Sequence, residues 1–79
     1  MNHHAKIIRA MLSRMPLHEA EEILKKNLPC REFFSVYHSR DVAGTHDLLS
    51  IAEQLNTTES NVKKIRRRAY QRLTSVYFK

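Results

Sequence analysis

Residues 47–73 of the chain read DLLSIAEQLNTTESNVKKIRRRAYQRL. Near the start of this stretch, Leu48, Ile51 and Leu55 recur every three or four residues, which is the spacing of one face of a short amphipathic helix. A second set with the same spacing follows a polar interval and consists of Val62, Ile65, Ala69, Leu73 and Val76. The pattern predicts a short helix, a tight turn and a longer helix.

Three polar residues predict where these two helices begin and end. Asp47 stands where an N-cap belongs, because its side-chain oxygen can accept a hydrogen bond from the first helical turn. Asn56 tolerates the left-handed backbone that ends helices. Thr58 can cap the longer helix, which then begins near Glu59. Residues 47–73 therefore have the layout of a helix-turn-helix, whose second helix enters the major groove of DNA.

Upstream of this stretch, the same spacing predicts two more helices. One covers residues 2–15, with Asn2 as a candidate N-cap and Pro16 as the residue that stops it. The other covers residues 17–27, with glutamates in its first turns and lysines in its last turn, as the helix dipole favours. The apolar strip of the first helix consists of Ile7, Ile8, Met11, Leu12 and Met15.

A third upstream helix is predicted to start at Pro29, because proline suits the first helical position. We expect it to end near residues 40–41. The only glycine, Gly44, then marks residues 42–46 as a loop. The chain is therefore predicted to be one all-α domain over residues 1–79, with about five helices around a single small core.

The charge of the chain is unevenly distributed. The 79 residues include 14 Lys and Arg and 8 Asp and Glu, which gives a net charge of +6. Bases and acids balance over residues 1–58, so the whole excess lies in residues 59–79, where Glu59 is the one acid. A basic excess in a small domain favours a polyanionic partner, although a well-solvated helix face has the same composition.

The basic residues of the last helix face away from its apolar side. At 100° per residue, its apolar residues from Val62 to Leu73 occupy a band about 80° wide. Lys and Arg on the other side can bind guanine, and Asn can bind adenine. The candidates for base contacts are Ser60, Asn61, Lys63, Lys64 and Arg67, with Gln71 on the same outer face. The candidates for phosphate contacts are Thr57, Thr58, Arg66, Arg68 and Arg72, and for Thr58 capping alone would also explain the residue.

Other functional classes have weaker signals in this sequence. No apolar run approaches about 18 residues and the start of the chain does not have the layout of a secretory signal, so we expect a cytoplasmic protein without membrane contact. The five histidines and the lone Cys30 have no metal-ligand or nucleophile spacing. We therefore expect no enzyme activity, no cofactor and no metal site.

The pattern of residues 48–73 resembles region four of bacterial sigma factors, which is their C-terminal DNA-binding region. Upstream, Leu28-Pro29-Cys30-Arg31-Glu32 is similar to the Leu-Pro-x-Arg-Glu that opens the preceding helix in that family. The resemblance covers residues 17–77, and DNA-binding domains of the LuxR type share much of the pattern. It implies a helical fold that reads an upstream promoter element and also contacts RNA polymerase.

The resemblance places the base-reading positions at Glu59, Ser60, Lys63 and Lys64. Primary sigma factors typically have Arg, Glu and Gln at the first, second and last of these positions, so their target sequence does not carry over. A 79-residue chain is too short for a complete sigma factor, and we expect a free-standing regulator of the kind found in phages and mobile elements.

Two functions from different classes follow from these observations. The leading hypothesis is a sequence-specific, double-stranded DNA-binding transcription regulator. The alternative is a protein-interaction module that binds RNA polymerase or a sigma factor, and RNA binding by the basic helix is a third, weaker hypothesis. The helix over residues 2–15 lies outside the resemblance and either completes the core or forms a homodimer interface. The small size of the chain favours core completion.

Overall fold

The computed structural model describes residues 3–40 and 42–78. These residues form five helices and no strand, namely α1 (His3–Arg14), α2 (Leu17–Asn27), α3 (Cys30–Tyr37), α4 (Leu48–Gln54) and α5 (Glu59–Tyr77). The predicted all-α class and number of helices are confirmed for this part of the chain. The radius of gyration of 11.6 Å matches the value of about 11.6 Å expected for one compact domain of this length. None of the described helices is both long and apolar enough to cross a membrane.

Prolines set the boundaries between the first three helices. α1 ends at Arg14, shortly before Pro16, and the carbonyl of Pro16 accepts a hydrogen bond from Ala20 N at 3.1 Å in the first turn of α2. Pro29 is the N-cap of α3 rather than its first helical residue, because its ψ of 160° is extended. Its carbonyl accepts a hydrogen bond from Phe33 N at 2.8 Å, so Pro29 still begins the helical hydrogen-bond ladder.

α3 ends at Tyr37, earlier than the predicted end near residues 40–41. Ser39 accounts for the difference, because both its hydroxyl (2.6 Å) and its backbone N–H (3.3 Å) donate to the carbonyl of Val36. The predicted loop over residues 42–46 follows, and Gly44 has the positive φ of 68° that favours glycine. The predicted N-cap Asn2 and the predicted helix-end residue Asp41 lie outside the described residues.

Most of the buried apolar side chains form two clusters, and α5 contributes to both. The larger cluster contains Ala5, Ile8, Leu12, Ala20, Leu24, Leu28, Val36, Ala69, Tyr70 and Leu73. The smaller cluster contains Ile51, Ala52 and Val62, with Phe34, Leu48 and Leu55 packed against it. The predicted small core is therefore present in two parts, one beside the N-terminal half of α5 and one beside its C-terminal half.

α1 belongs to the larger cluster. Ala5, Ile8 and Leu12 are buried, and α1 packs against α5. The buried face of α1 differs from the predicted strip, since Ile7 is 43% exposed and Met11 is only half-buried. α1 therefore completes the core, which is one of the two alternatives that the sequence left open.

Packing of α1 also widens the buried face of α5. Tyr70, about 80° from Val62 around the helix, is buried, and the guanidinium carbon of Arg9 in α1 lies 5.5 Å from the centre of its ring. Val76 was predicted to continue the apolar face of α5, but it lies one turn beyond Leu73 and is 44% exposed. The buried band of α5 is therefore wider than predicted at its centre and ends earlier.

We expect Leu12→Ala to lower the free energy of unfolding by about 2–5 kcal/mol, because it removes a fully buried side chain from the larger cluster. Ile7→Ala changes an exposed residue of the same helix and should alter stability by less than about 1 kcal/mol. Urea unfolding followed by circular dichroism measures both. Equal, small effects of the two substitutions would show that α1 is not part of the core.

Candidate nucleic-acid interface

Two side-chain caps hold the starts of α4 and α5. Oδ1 of Asp47 accepts a hydrogen bond from Ser50 N at 2.8 Å, and Oγ1 of Thr58 accepts one from Asn61 N at 3.2 Å. The bond from the backbone of Ser50 also lowers the pKa of Asp47, because it stabilises the carboxylate. Between the two helices Asn56 has a φ of 55°. The predicted caps and the predicted left-handed residue are confirmed.

The turn before α5 engages two residues of the predicted site. The side-chain amide of Asn61 donates to the hydroxyl of Thr57 at 2.8 Å, and both residues are half-buried. Thr57 also donates its backbone N–H to the carbonyl of Ala52 at 2.9 Å, which closes the end of α4. The side chain of Asn61 is therefore directed toward the turn, at the edge of the exposed side of α5.

Most of the predicted site is exposed on one side of α5. The exposed members are Thr58, Glu59, Ser60, Lys63, Lys64, Arg67, Arg68, Gln71 and Arg72. Within the described part of the chain, the side chains of Lys63, Lys64, Arg67 and Arg68 make no hydrogen bond or ion pair. The half-buried members are Thr57, Asn61 and Arg66. The fold therefore leaves four cations of α5 available to a partner.

Arg72 has a structural partner. Its Nε donates to Oε1 of Glu32 in α3 at 2.8 Å, and the Glu32 side chain is only 10% exposed. The neighbouring Arg31 donates from Nη2 to the carbonyl of Leu55 at 3.5 Å. The Arg-Glu pair that begins α3 thus joins this helix to the end of α4 and to α5.

Sequence reasoning did not assign these roles to Arg31 and Glu32. A signal for Glu32 is its position four residues before the buried Val36, which places both residues on the same side of α3. An acid on the buried side of a helix needs a cationic partner. The basic α5 is the element that provides this partner.

A groove with a volume of about 1020 Å³ lies beside α5. We refer to it as the basic groove because five cations line it, namely Arg9, Arg40, Lys63, Arg66 and Arg67. Asp47 is the one carboxylate among the described residues of its lining. α1, the loop after α3 and α5 each contribute at least one of the cations.

Arg9 and Arg40 were not predicted as site residues. Both belong to residues 1–58, where bases and acids balance, and both are far from α5 in the sequence. The folded chain brings them to the same groove as Lys63 and Arg67. Only the tertiary packing of α1 and of the loop against α5 could reveal this.

Two histidines and a threonine form a small cluster in the loop before α4. Oγ1 of Thr45 lies 3.0 Å from Nδ1 of His38 and 2.9 Å from Nδ1 of His46. Burial and the nearby His46 lower the pKa of His38, and Glu21 opposes this shift. No three His, Cys, Asp or Glu side chains among the described residues come close enough to share a metal ion.

No protein-family model matches this chain, and comparison with curated proteins and with solved structures found no match either. The features of this chain that bear on function are the exposed cations of α5 and the basic groove.

Acidification is expected to destabilise the fold through His38. Its pKa is 6.5 in the unfolded chain and lower in the folded chain, so the unfolded chain takes up the proton first. Stability should be greatest above pH 6.5 and should fall as the pH drops through the lowered pKa of folded His38. Urea unfolding at about pH 7.5 and about pH 5.5 measures the difference.

His38→Gln should reduce this pH dependence. His18→Gln, at an exposed position on α2, provides the control and should leave it in place. Identical pH dependence in the wild-type chain and the His38 variant would contradict the assignment.

Proposed function

We propose that the chain is a sequence-specific DNA-binding transcription regulator. In this proposal α4, the turn after it and α5 act as a helix-turn-helix, and α5 enters the major groove of double-stranded DNA. The observation that supports the proposal most strongly is the row of exposed cations on α5, Lys63, Lys64, Arg67 and Arg68, which have no partner in the described part of the chain.

The dimensions of α5 suit this role. A major groove about 12 Å wide admits one α-helix. From Ser60 to Gln71 the exposed side of α5 extends for about 17 Å, which corresponds to about five base pairs. The caps at Asp47 and Thr58 order the first turns of α4 and α5, so the start of the exposed side of α5 does not have to become ordered on binding.

The chemistry of the exposed side predicts the kind of base that it contacts. Lys63, Lys64 and Arg67 carry only hydrogen-bond donors, which match the O6 and N7 acceptors of guanine. Gln71 can bond adenine. We therefore propose a target of about five base pairs in which guanine predominates.

We also propose distinct roles for the other cations of α5. Arg68 is exposed and unpaired within the described part of the chain, so it is the stronger candidate for a phosphate contact. Arg72 fixes α5 against α3 through Glu32. We also propose that residues 17–77 are related to region four of sigma factors, on the basis of their residue pattern and of the order of helices α2 to α5.

We expect the double substitution Lys63→Ala and Arg67→Ala to weaken binding to a preferred duplex by at least about 30-fold, because each substitution removes hydrogen bonds to bases. The duplex is selected from a random-sequence pool by the wild-type chain. Fluorescence anisotropy at one fixed salt concentration measures the affinity.

The matched control is Lys25→Ala with Lys26→Ala, which removes the same charge from an exposed part of α2 outside the basic groove. This variant should bind within a few-fold of the wild-type chain. Equal loss in both variants would leave only a general charge effect. A wild-type chain that binds all duplexes equally but captures RNA polymerase without DNA would instead favour the protein-interaction function.

A further inference from the structure

We propose that the loop between α3 and α4 makes a second contact with DNA, in which Arg40 binds a phosphate of the duplex that α5 reads. This inference rests on the proposed function and extends it to a part of the chain outside α4 and α5. The ligand at the loop is the sugar-phosphate backbone of one DNA strand, and the group that binds it is the guanidinium of Arg40.

The loop and α5 border one continuous groove. Arg40 lines the basic groove together with Lys63 and Arg67, two of the residues proposed to contact bases. A duplex placed against these α5 residues therefore also lies beside the loop. Phosphates flank the bases on both edges of the major groove, so a cation beside the reading helix meets the backbone.

The described lining of the basic groove carries an excess of positive charge. Arg40 is exposed and makes no hydrogen bond or ion pair with other described residues. The carboxylate of Asp47, the one acid of the described lining, accepts a hydrogen bond from Ser50 N and keeps its negative charge. Five cations still outnumber it in the described lining, and a groove of this charge is complementary to a polyanion.

Backbone hydrogen bonds hold the loop that carries Arg40 against the end of α3. Ala43 N donates to the carbonyl of Tyr37 at 2.8 Å, and Gly44 N donates to the carbonyl of Ser39 at 2.8 Å. His46 N donates to a further backbone carbonyl at 3.0 Å. These bonds close the loop on the end of α3, so little backbone freedom is lost when a phosphate binds.

The extent of the groove favours a backbone strand over a small anion. Its α5 wall runs from Lys63 to Thr74, which is about 17 Å along the helix axis. Cations distributed over this length match a ligand with regularly spaced charges. A single phosphate ion would require its donors to converge on one point.

The test compares Arg40→Ala with Arg14→Ala, which removes the same charge from an exposed position of α1 outside the groove. Binding of the selected duplex is measured from about 50 to about 200 mM salt. For Arg40→Ala the negative slope of log affinity against log salt should become shallower by about 0.9. The loss of affinity of this variant relative to the wild-type chain should therefore shrink about threefold between the two salt concentrations. Arg14→Ala should keep the wild-type slope, and Arg40→Lys should restore it.

Uncharged methylphosphonate groups placed one at a time in the duplex locate the contact. At one position the substitution should weaken binding by the wild-type chain but not by Arg40→Ala, whereas the order of preference among duplexes stays the same for both. Unchanged circular dichroism and Tm show that the variant is folded.

The outcomes separate this inference from the proposed function. If the wild-type chain prefers no duplex, the proposed function fails. If it prefers one, but Arg40→Ala and Arg14→Ala have equal salt slopes and no methylphosphonate position distinguishes them, only the loop contact is rejected.

Discussion

Burial of one side of α5 against three other helices is the constraint on which the rest of this structure depends. At 19 residues α5 is about 28 Å long, close to the 32 Å of the longest dimension of the molecule. Val62 joins the smaller cluster, and Ala69 and Leu73 join the larger one. These contacts fix which side of α5 faces the other helices. The position of the exposed cations on the opposite side therefore follows from where the apolar residues are buried.

This arrangement places like charges close together on the exposed side of α5. Two pairs of cations lie four positions apart along α5, namely Lys63 with Arg67 and Lys64 with Arg68. Like charges at this spacing are neighbours on the helix surface and repel one another. Within α5 the only acid is Glu59, and outside it Glu32 pairs with Arg72. The apolar contacts of α5 therefore hold a helix whose own side chains repel, and a bound polyanion would relieve that repulsion.

The local features of the fold could be predicted from the sequence, whereas the long-range contacts could not. The caps at Asp47 and Thr58 depend on neighbouring residues, and so does the turn at Asn56. The pairing of Arg72 with residue 32 joins positions 40 apart, and the basic groove combines Arg40 with α5. Helical periodicity states which residues share a face but not which other helix covers it, so the apolar band predicted from Val62 to Leu73 does not extend to Tyr70, which packs in the larger cluster beside α1.

The unequal division of the core between two clusters bears on local unfolding. A part of a protein with few buried contacts opens at a lower free energy than the whole molecule. The smaller cluster, with Ile51 and Val62 at its centre, holds α4 to the first turns of α5, while the larger one holds the rest of α5. α4 and the first turns of α5 are therefore held together by fewer buried side chains than the rest of the fold. A ligand that bridges α5 and the loop before α4 would add contacts to this smaller part of the core and would raise the free energy of its local opening.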